Sequence, residues 1–350
     1  MGARRHSTLK RSLGLSRDLL PPKLIEELRL RSPKLILLRL PEGLRPKCAM
    51  LAESLAAITG AKVIASADPC YGACDISPED AEAVGADLVV QIGHSPMGGC
   101  PRDGAVIIET MADVDPGPLI DEALELLKTE RVIGLATTAQ HIHQLDRIKK
   151  VLEASSKEVK IGRPSGWAAH EGQVLGCDYS AARAVADGVD AFLFFGGGRF
   201  HALGLGMVTD KRVVAADPYE GRVLDLTEDS KRLLRARCAA IEAFKAVKRV
   251  GVLICLKGAQ KRLREAWDLK ALLERKGKEA IILSFRDLRA EDLLSFSELE
   301  AFANTACPRI AIEDQPAVGK PMLNVREVMV ALGELSWEDY REDPFSQTKA

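Results

Sequence analysis

The sequence predicts an α/β protein made of three similar units, each a parallel sheet covered by helices. Three observations carry this prediction. Short apolar strands alternate with amphipathic helices along the chain, a pattern that parallel sheets buried on both faces produce. The 350 residues suffice for two or three compact domains with sizeable cores. One block of sequence also recurs at a fixed spacing. The hydrophobic fraction of 47% and charged fraction of 28% are those of an ordinary globular protein.

Residues 1–21 form a basic arm without apolar periodicity, expected to be mobile, and LIEELRL opens the ordered chain as a short amphipathic helix. The first unit, 22–128, then reads as strand KLILLRL, helix LRPKCAMLAESLAAITG closed by Gly60, and strand KVIASAD. VIGLATT and IHQLDRIKKVLEAS repeat this pattern in a second unit, 129–225. VGVLICL and LREAWDLKALLERKG repeat it again in a third, 226–350.

The first two units superimpose without a gap. Cys74-Asp75, helix PEDAEAV, Gly85, Asp87 and strand LVVQIG ending at Gly93 match Cys177-Asp178, helix AARAVAD, Gly188, Asp190 and strand AFLFFG ending at Gly196. Each element is displaced by 103 residues, the mark of an internal repeat that makes Cys74 and Cys177 equivalent.

Charge excludes some partners. The 49 Lys and Arg balance 50 Asp and Glu, so no bulk field draws the chain to nucleic acid or an anionic membrane. No apolar run is long enough to span a bilayer and no signal-peptide core is present, which points to the cytoplasm. Eight cysteines in that setting argue for metal-binding, catalytic or buried thiols rather than disulfides.

Cys70 and Cys74 have the spacing of the first half of a CxxxCxxC iron–sulfur loop, but the next cysteine is Cys100. The repeat selects Cys74 and leaves Cys70 and Cys100 without partners. Ser77-Pro78-Glu79-Asp80 reads as a capped helix start, which puts Cys74 in the loop before it, where a helix N-terminus favours thiolate. Such loops at the carboxyl edge of a sheet are where ligands bind. Asp75 and Asp178 are expected to accept from backbone amides at helix starts. Cys307 stands before RIAIED, read as a strand, so the repeat alone supports it weakly. Cys48, Cys238 and Cys255 sit in apolar patterns and read as core.

The runs PEGLR, YGACD, TTAQH, GQVLGCD, GGGRFHALGL, NTACPRIAIED and SWEDY, in this order over about residues 22–345, resemble archaeal diphthamide synthases, the 2-(3-amino-3-carboxypropyl)histidine synthase family. The resemblance implies three α/β domains around a pseudo-threefold axis and a central [4Fe-4S] cluster held by Cys74, Cys177 and Cys307. It also implies a cytoplasmic homodimer using non-conventional radical chemistry. The 3-amino-3-carboxypropyl group of S-adenosylmethionine would pass to C2 of a histidine of translation elongation factor 2, the first step toward diphthamide, with electrons from a donor of unknown identity. The cofactor would be held by loops beside the cysteines. Gly197 and Gly198 of GGGRFH allow close backbone approach, Arg199 and Arg309 suit a carboxylate, and His201 and Gln140 stand in strand-following loops. For the arginines the competing reading is a solvated surface charge, and for the other residues a turn. Two alternatives stay open: a quinolinate synthase-like enzyme using the open iron as Lewis acid, and a non-catalytic partner subunit that binds the elongation factor.

Overall fold

The computed structural model describes residues 22–76, 78–98 and 104–345. The basic arm, Ser77 with its expected cap, and Cys100 lie outside them. The strands form three sheets. The first contains β1 (Leu35–Arg39), β2 (Lys62–Ala65), β3 (Leu88–Ile92) and β4 (Ala105–Ile108), in the order β2-β1-β3-β4 and parallel throughout. The second contains β5 (Val132–Thr137), β6 (Glu158–Lys160), β7 (Ala191–Phe195), β8 (Arg212–Asp217) and β9 (Arg222–Asp225), ordered β6-β5-β7-β8-β9 with only β9 antiparallel. β10 (Arg249–Cys255), β11 (Glu279–Phe285), β12 (Ala301–Asn304) and β13 (Met322–Asn324) form the third, parallel and ordered β11-β10-β12-β13. All three sheets thus begin with the same winding, second strand, first, third, fourth.

The repeat extends to individual hydrogen bonds. The Asp87 carboxylate, just before β3, accepts from the amides of Lys34 and Leu35 at 2.9 and 3.1 Å, tying the start of β1. Asp190 does the same for Arg131 and Val132 at 2.8 Å each, and Glu300 accepts from the Lys248 amide at 2.9 Å in the third unit. These amides hold both aspartates below the usual carboxylate range. In each unit the first strand runs into a 3-10 turn, at Glu42–Lys47, Ala139–Gln144 and Gly258–Gln260. The helix expected from Leu44 therefore begins as 3-10 around Pro46 and becomes α-helical only over Cys48–Thr59, where Gly60 ends it at φ 74°.

β7 shows why the strands read as continuous apolar runs. Leu193 and Phe195 pack into one core and Phe192 and Phe194 into another on the opposite face. RIAIED differs from expectation, because β12 already supplies the third strand of its sheet. The segment after Cys307 is helical from Pro308 and widens to a π-turn over Ile310–Asp314 before helix Gln315–Val318. Pro316 lacks the amide that an α-helix would offer to the Ile312 carbonyl, and the wide turn falls where that bond is missing. The segment before Cys307 is the strand, and the cysteine precedes a helix after all.

Each unit touches the other two. Gly98 donates its amide to the Trp167 carbonyl at 3.2 Å and Ala112 to that of Gln140 at 2.9 Å, joining first and second. Arg286 pairs with Asp80 at 2.7 Å between third and first. Arg183 Nη1 reaches the Glu342 carbonyl at 2.9 Å between second and third.

Candidate metal centre

Cys74 and Cys177 lie in loops between the second strand of their sheet and the next helix, whereas Cys307 follows a third strand. All three stand at carboxyl edges, where the windings open a crevice. The three cysteines are half-buried as residues, and their thiols are surrounded by protein. Burial pushes the Cys74 thiol well up, and the neighbouring Cys307 and Cys177 sulfurs push it further. Burial and then Cys307 raise Cys177 to about 12, and burial raises Cys307 against the amide of Arg309. Three thiolates in one another's field are unfavourable alone, and a bound cationic centre relieves all of them together.

The donor set decides what kind of centre fits. Among the described residues no three His, Cys, Asp or Glu side chains could share one metal ion. Ligands of a multi-iron cluster each hold a different iron and so stand further apart, and thiolates are the donors such clusters take. Cys74, Cys177 and Cys307 offer the donor type that a cluster takes.

Each cysteine loop is fixed by its own device. The Asp75 carboxylate, wholly buried, accepts from the Tyr71 amide at 3.1 Å and pairs with Arg39 and Lys257 at 3.3 Å each. The helix-start amides expected as donors to Asp75 begin at Ser77, which lies outside the described residues. The loop lies at the junction of two units, and Lys257 comes from the third. Burial raises the Asp75 carboxyl against the pull of both cations. Gln91 donates to the Gly72 carbonyl at 2.8 Å, steadying the approach to Cys74. Asp178 behaves as expected, accepting from Ser180 N at 2.8 Å and also from Trp167 and Ala168 at 2.5 and 2.7 Å. Before Cys177, a Cβ on Gly176 would stand 2.3 Å from the Phe200 ring, so only glycine fits there. Asn304 brackets Cys307, donating to its carbonyl at 2.9 Å and accepting from Ala306 N at 3.1 Å.

Beneath the Cys307 helix Arg237 is almost fully buried. It pairs with both oxygens of Glu327, at 2.7 and 2.6 Å, and donates to the carbonyls of Ala311 and Met322 and to Gln315. Tyr340 of the SWEDY run donates its hydroxyl to Glu327 at 2.9 Å. That run is thus part of the support of the Cys307 helix.

The expected cofactor contacts separate into two groups. Arg309 lies with its guanidinium 5.3 Å from the centre of the Phe200 ring, and His201 stands edge-on to the same ring at 5.6 Å. Burial and then Arg309 push His201 down to about 4, so it is neutral near pH 7. Arg309 also pairs with Glu313 one helical turn on. Arg199 turns away, half exposed, to Asp229 at 2.5 Å, and Gly198 at φ 76° donates its amide to Asp217 at 2.9 Å. Gly197 packs against the Tyr219 ring. Gln140 contributes its carbonyl to the contact with Ala112. Arg309 thus lies in the field of Cys307, His201 lies in the field of Arg309, and Arg199 pairs elsewhere. Cys70 is buried with its sulfur 3.9 Å from His94 Nδ1, and burial raises it to about 11. Cys255 is core, while Cys48 and Cys238 are only partly buried, on helix faces at the edge of their cores.

Three neighbours of the thiols were not legible as site residues. Gln260 donates to the Cys74 sulfur, Arg262 lies in the field of Cys177, and Tyr179 lies in the field of Cys177 and Cys307 with its buried hydroxyl unpartnered among the described residues. One signal was present for Gln260: Ala259-Gln260 repeats Ala139-Gln140 in the 3-10 turn after the first strand.

Comparison with known proteins agrees with this architecture. The diphthamide synthesis protein family matches residues 40–341. The chain is 36% identical over 312 residues to the 2-(3-amino-3-carboxypropyl)histidine synthase of Pyrococcus horikoshii, covering 89% of each chain. To subunit 1 of the human enzyme of that name it is 28% identical over 323 residues, 91% of this chain and 72% of the human one. The crystal structure of Dph2 from P. horikoshii with a 4Fe-4S cluster superimposes with a TM-score of 0.81 at 35% identity, covering 93% of this chain and 94% of the other.

Proposed function

Because the chain belongs to the diphthamide synthesis protein family, we propose that it is a 2-(3-amino-3-carboxypropyl)histidine synthase that carries out the first step of diphthamide formation. In this reading it transfers the 3-amino-3-carboxypropyl group of S-adenosylmethionine to C2 of one histidine of translation elongation factor 2. The observation that carries the reading is that Cys307 and Cys177 both lie in the field of Cys74, one cysteine from each unit. These three would hold a [4Fe-4S] cluster and leave its fourth iron without a protein ligand. When bound, the cluster supplies an open iron and one electron for breaking the bond between the sulfonium and Cγ.

The chain's task is then positioning. Arg309 is the residue best placed to take the methionine carboxylate. Its present partner is an exposed i,i+4 carboxylate, a pairing worth little, so an incoming carboxylate displaces it at small cost. Neutral His201 offers a hydrogen bond beside it without adding charge. Gly198 and Arg199 are exposed and Gly197 and Gln140 half-buried, and in this reading they serve the approach of a protein substrate. A homodimer and a separate electron donor complete the proposal, acting in the cytoplasm; no helix among the described residues is long and apolar enough to cross a membrane.

The test is anaerobic iron and sulfide analysis together with transfer to the elongation factor. Cys74→Ala, Cys177→Ala and Cys307→Ala should each lose or degrade the cluster, and Cys70→Ala should retain it. The unaltered protein should add one aminocarboxypropyl group to one histidine. Unchanged iron in all three variants would contradict the assignment, and iron loss in the Cys70 variant would revive the local CxxxC reading.

A further inference from the structure

The 3-10 turn of the third unit lies directly on the Cys74 loop of the first. Lys257, which opens the turn, pairs with Asp75, the residue after Cys74, and with Asp287 of its own unit. At Gly258 the two backbones meet so closely that a Cβ there would stand 2.1 Å from the Ile76 carbonyl oxygen and 3.1 Å from that of Cys74. With the turn pinned at two successive residues, Gln260 is held so that its Nε2 lies 3.5 Å from the Cys74 sulfur, within range of an N–H···S hydrogen bond. Arg262, two residues on, pairs with Glu265 at 3.4 Å and lies in the field of Cys177. A segment that carries no cluster cysteine therefore addresses two of the three thiols.

We propose that Gln260 sets the reduction potential of the cluster: the third unit delivers its side-chain amide as a hydrogen-bond donor to the sulfur of Cys74. A thiolate ligand is an acceptor, so the amide nitrogen is the end that it selects. Donation withdraws electron density from the sulfur and stabilises the more negative, reduced cluster, and hydrogen bonds to sulfur are one of the protein's levers on such potentials. Gln260 is a positioning residue. It touches a ligand and not the reacting atoms, and through Lys257 and Gly258 its placement depends on the packing of unit three against unit one. Docking of the two units and the ease of reducing the centre are thereby linked.

The inference rests on Cys74 as a cluster ligand, and the experiment separates the two. Reconstituted full-length protein is titrated potentiometrically, with the reduced cluster followed by electron paramagnetic resonance, for the unaltered chain, Gln260→Leu and Gln260→Glu. Iron and sulfide content and the circular dichroism melt are recorded for each. The expected order runs from the unaltered protein to more negative potential in Gln260→Leu, which lacks the donor. Gln260→Glu should be more negative still, because it places a carboxylate against the thiolate. Four irons with equal potentials in all three proteins would overturn the proposal, as would a Glu variant at or above the unaltered potential. A role confined to filling space predicts that result, since Glu is nearly isosteric with Gln. If Gln260→Leu does not load iron, Gln260→Glu decides alone. If Cys74→Ala keeps its four irons, the ligand assignment fails instead.

Discussion

Removing one side chain under the Cys307 helix tests whether the packing described here holds the site. Arg237→Met keeps most of the volume and deletes the charge. It strips Glu327 of both ion-pair bonds and leaves it only the Tyr340 hydroxyl and the Asn324 amide at 2.9 and 2.8 Å. Ala311, Gln315 and Met322 lose their donor at the same time. Breaking a buried pair by deleting one partner costs about 3–5 kcal/mol, and both partners here are almost fully buried. Spread over a cooperative unfolding of the whole chain, that loss lowers the melting midpoint by about 4–7 °C. A local opening of the third unit would show a larger shift in its own transition. Urea unfolding and calorimetry measure the penalty, and the double variant Arg237→Met/Glu327→Leu should regain part of it, because apolar replacement of both partners removes the stranded charge. Ala311 belongs to the π-turn after Cys307, so the single variant should also release iron faster on exposure to chelator. A penalty below about 1 kcal/mol, or a double variant no better than the single, would refute the reasoning.

Two further outcomes follow from particular side chains. His141 is buried against Phe195 and Tyr219, and burial, then His143, push it down to about 4. The unfolded chain therefore binds a proton there before the folded one does, so stability is present above about pH 6.5 and is lost as pH falls toward 4, by up to about 3 kcal/mol. His141→Gln should flatten that part of the stability–pH curve, and an unchanged slope would show that His141 does not contribute. Arg309→Lys should weaken S-adenosylmethionine binding, measured by calorimetry on the loaded enzyme, more than Arg199→Lys does, because only Arg309 stands beside Cys307. Equal losses would return Arg199 to the site.

The three α/β units were readable because the inner strands β1, β3, β5, β7, β10 and β12 are buried on both faces and so appear as nearly unbroken apolar runs, AFLFF being the plainest. Cys74 and Cys177 were readable because their loops repeat with the acid, glycine and strand around them. Cys307 was obscured because IAIED has strand-like composition, while its conformation is set by Pro308 and Pro316 and by the carbonyl that Arg237 holds, contacts that local periodicity does not contain. The ion pair of Asp75 was hidden for the same reason: Lys257 is 182 positions away in the sequence. Gln260 belongs to the same class, visible only once two units are packed together.

The central claim is that three dispersed cysteines hold a cluster whose open iron directs cleavage of the sulfonium-to-Cγ bond. It is tested most directly by the nucleoside formed when reconstituted protein, S-adenosylmethionine and dithionite are combined without air. The account predicts methylthioadenosine with fragments of the aminocarboxypropyl group, and modification of one histidine when elongation factor 2 is added. Intact S-adenosylmethionine would point to a dehydratase or a non-catalytic subunit, and 5′-deoxyadenosine as the main product would contradict the geometry inferred for the site even with the cluster ligands correct.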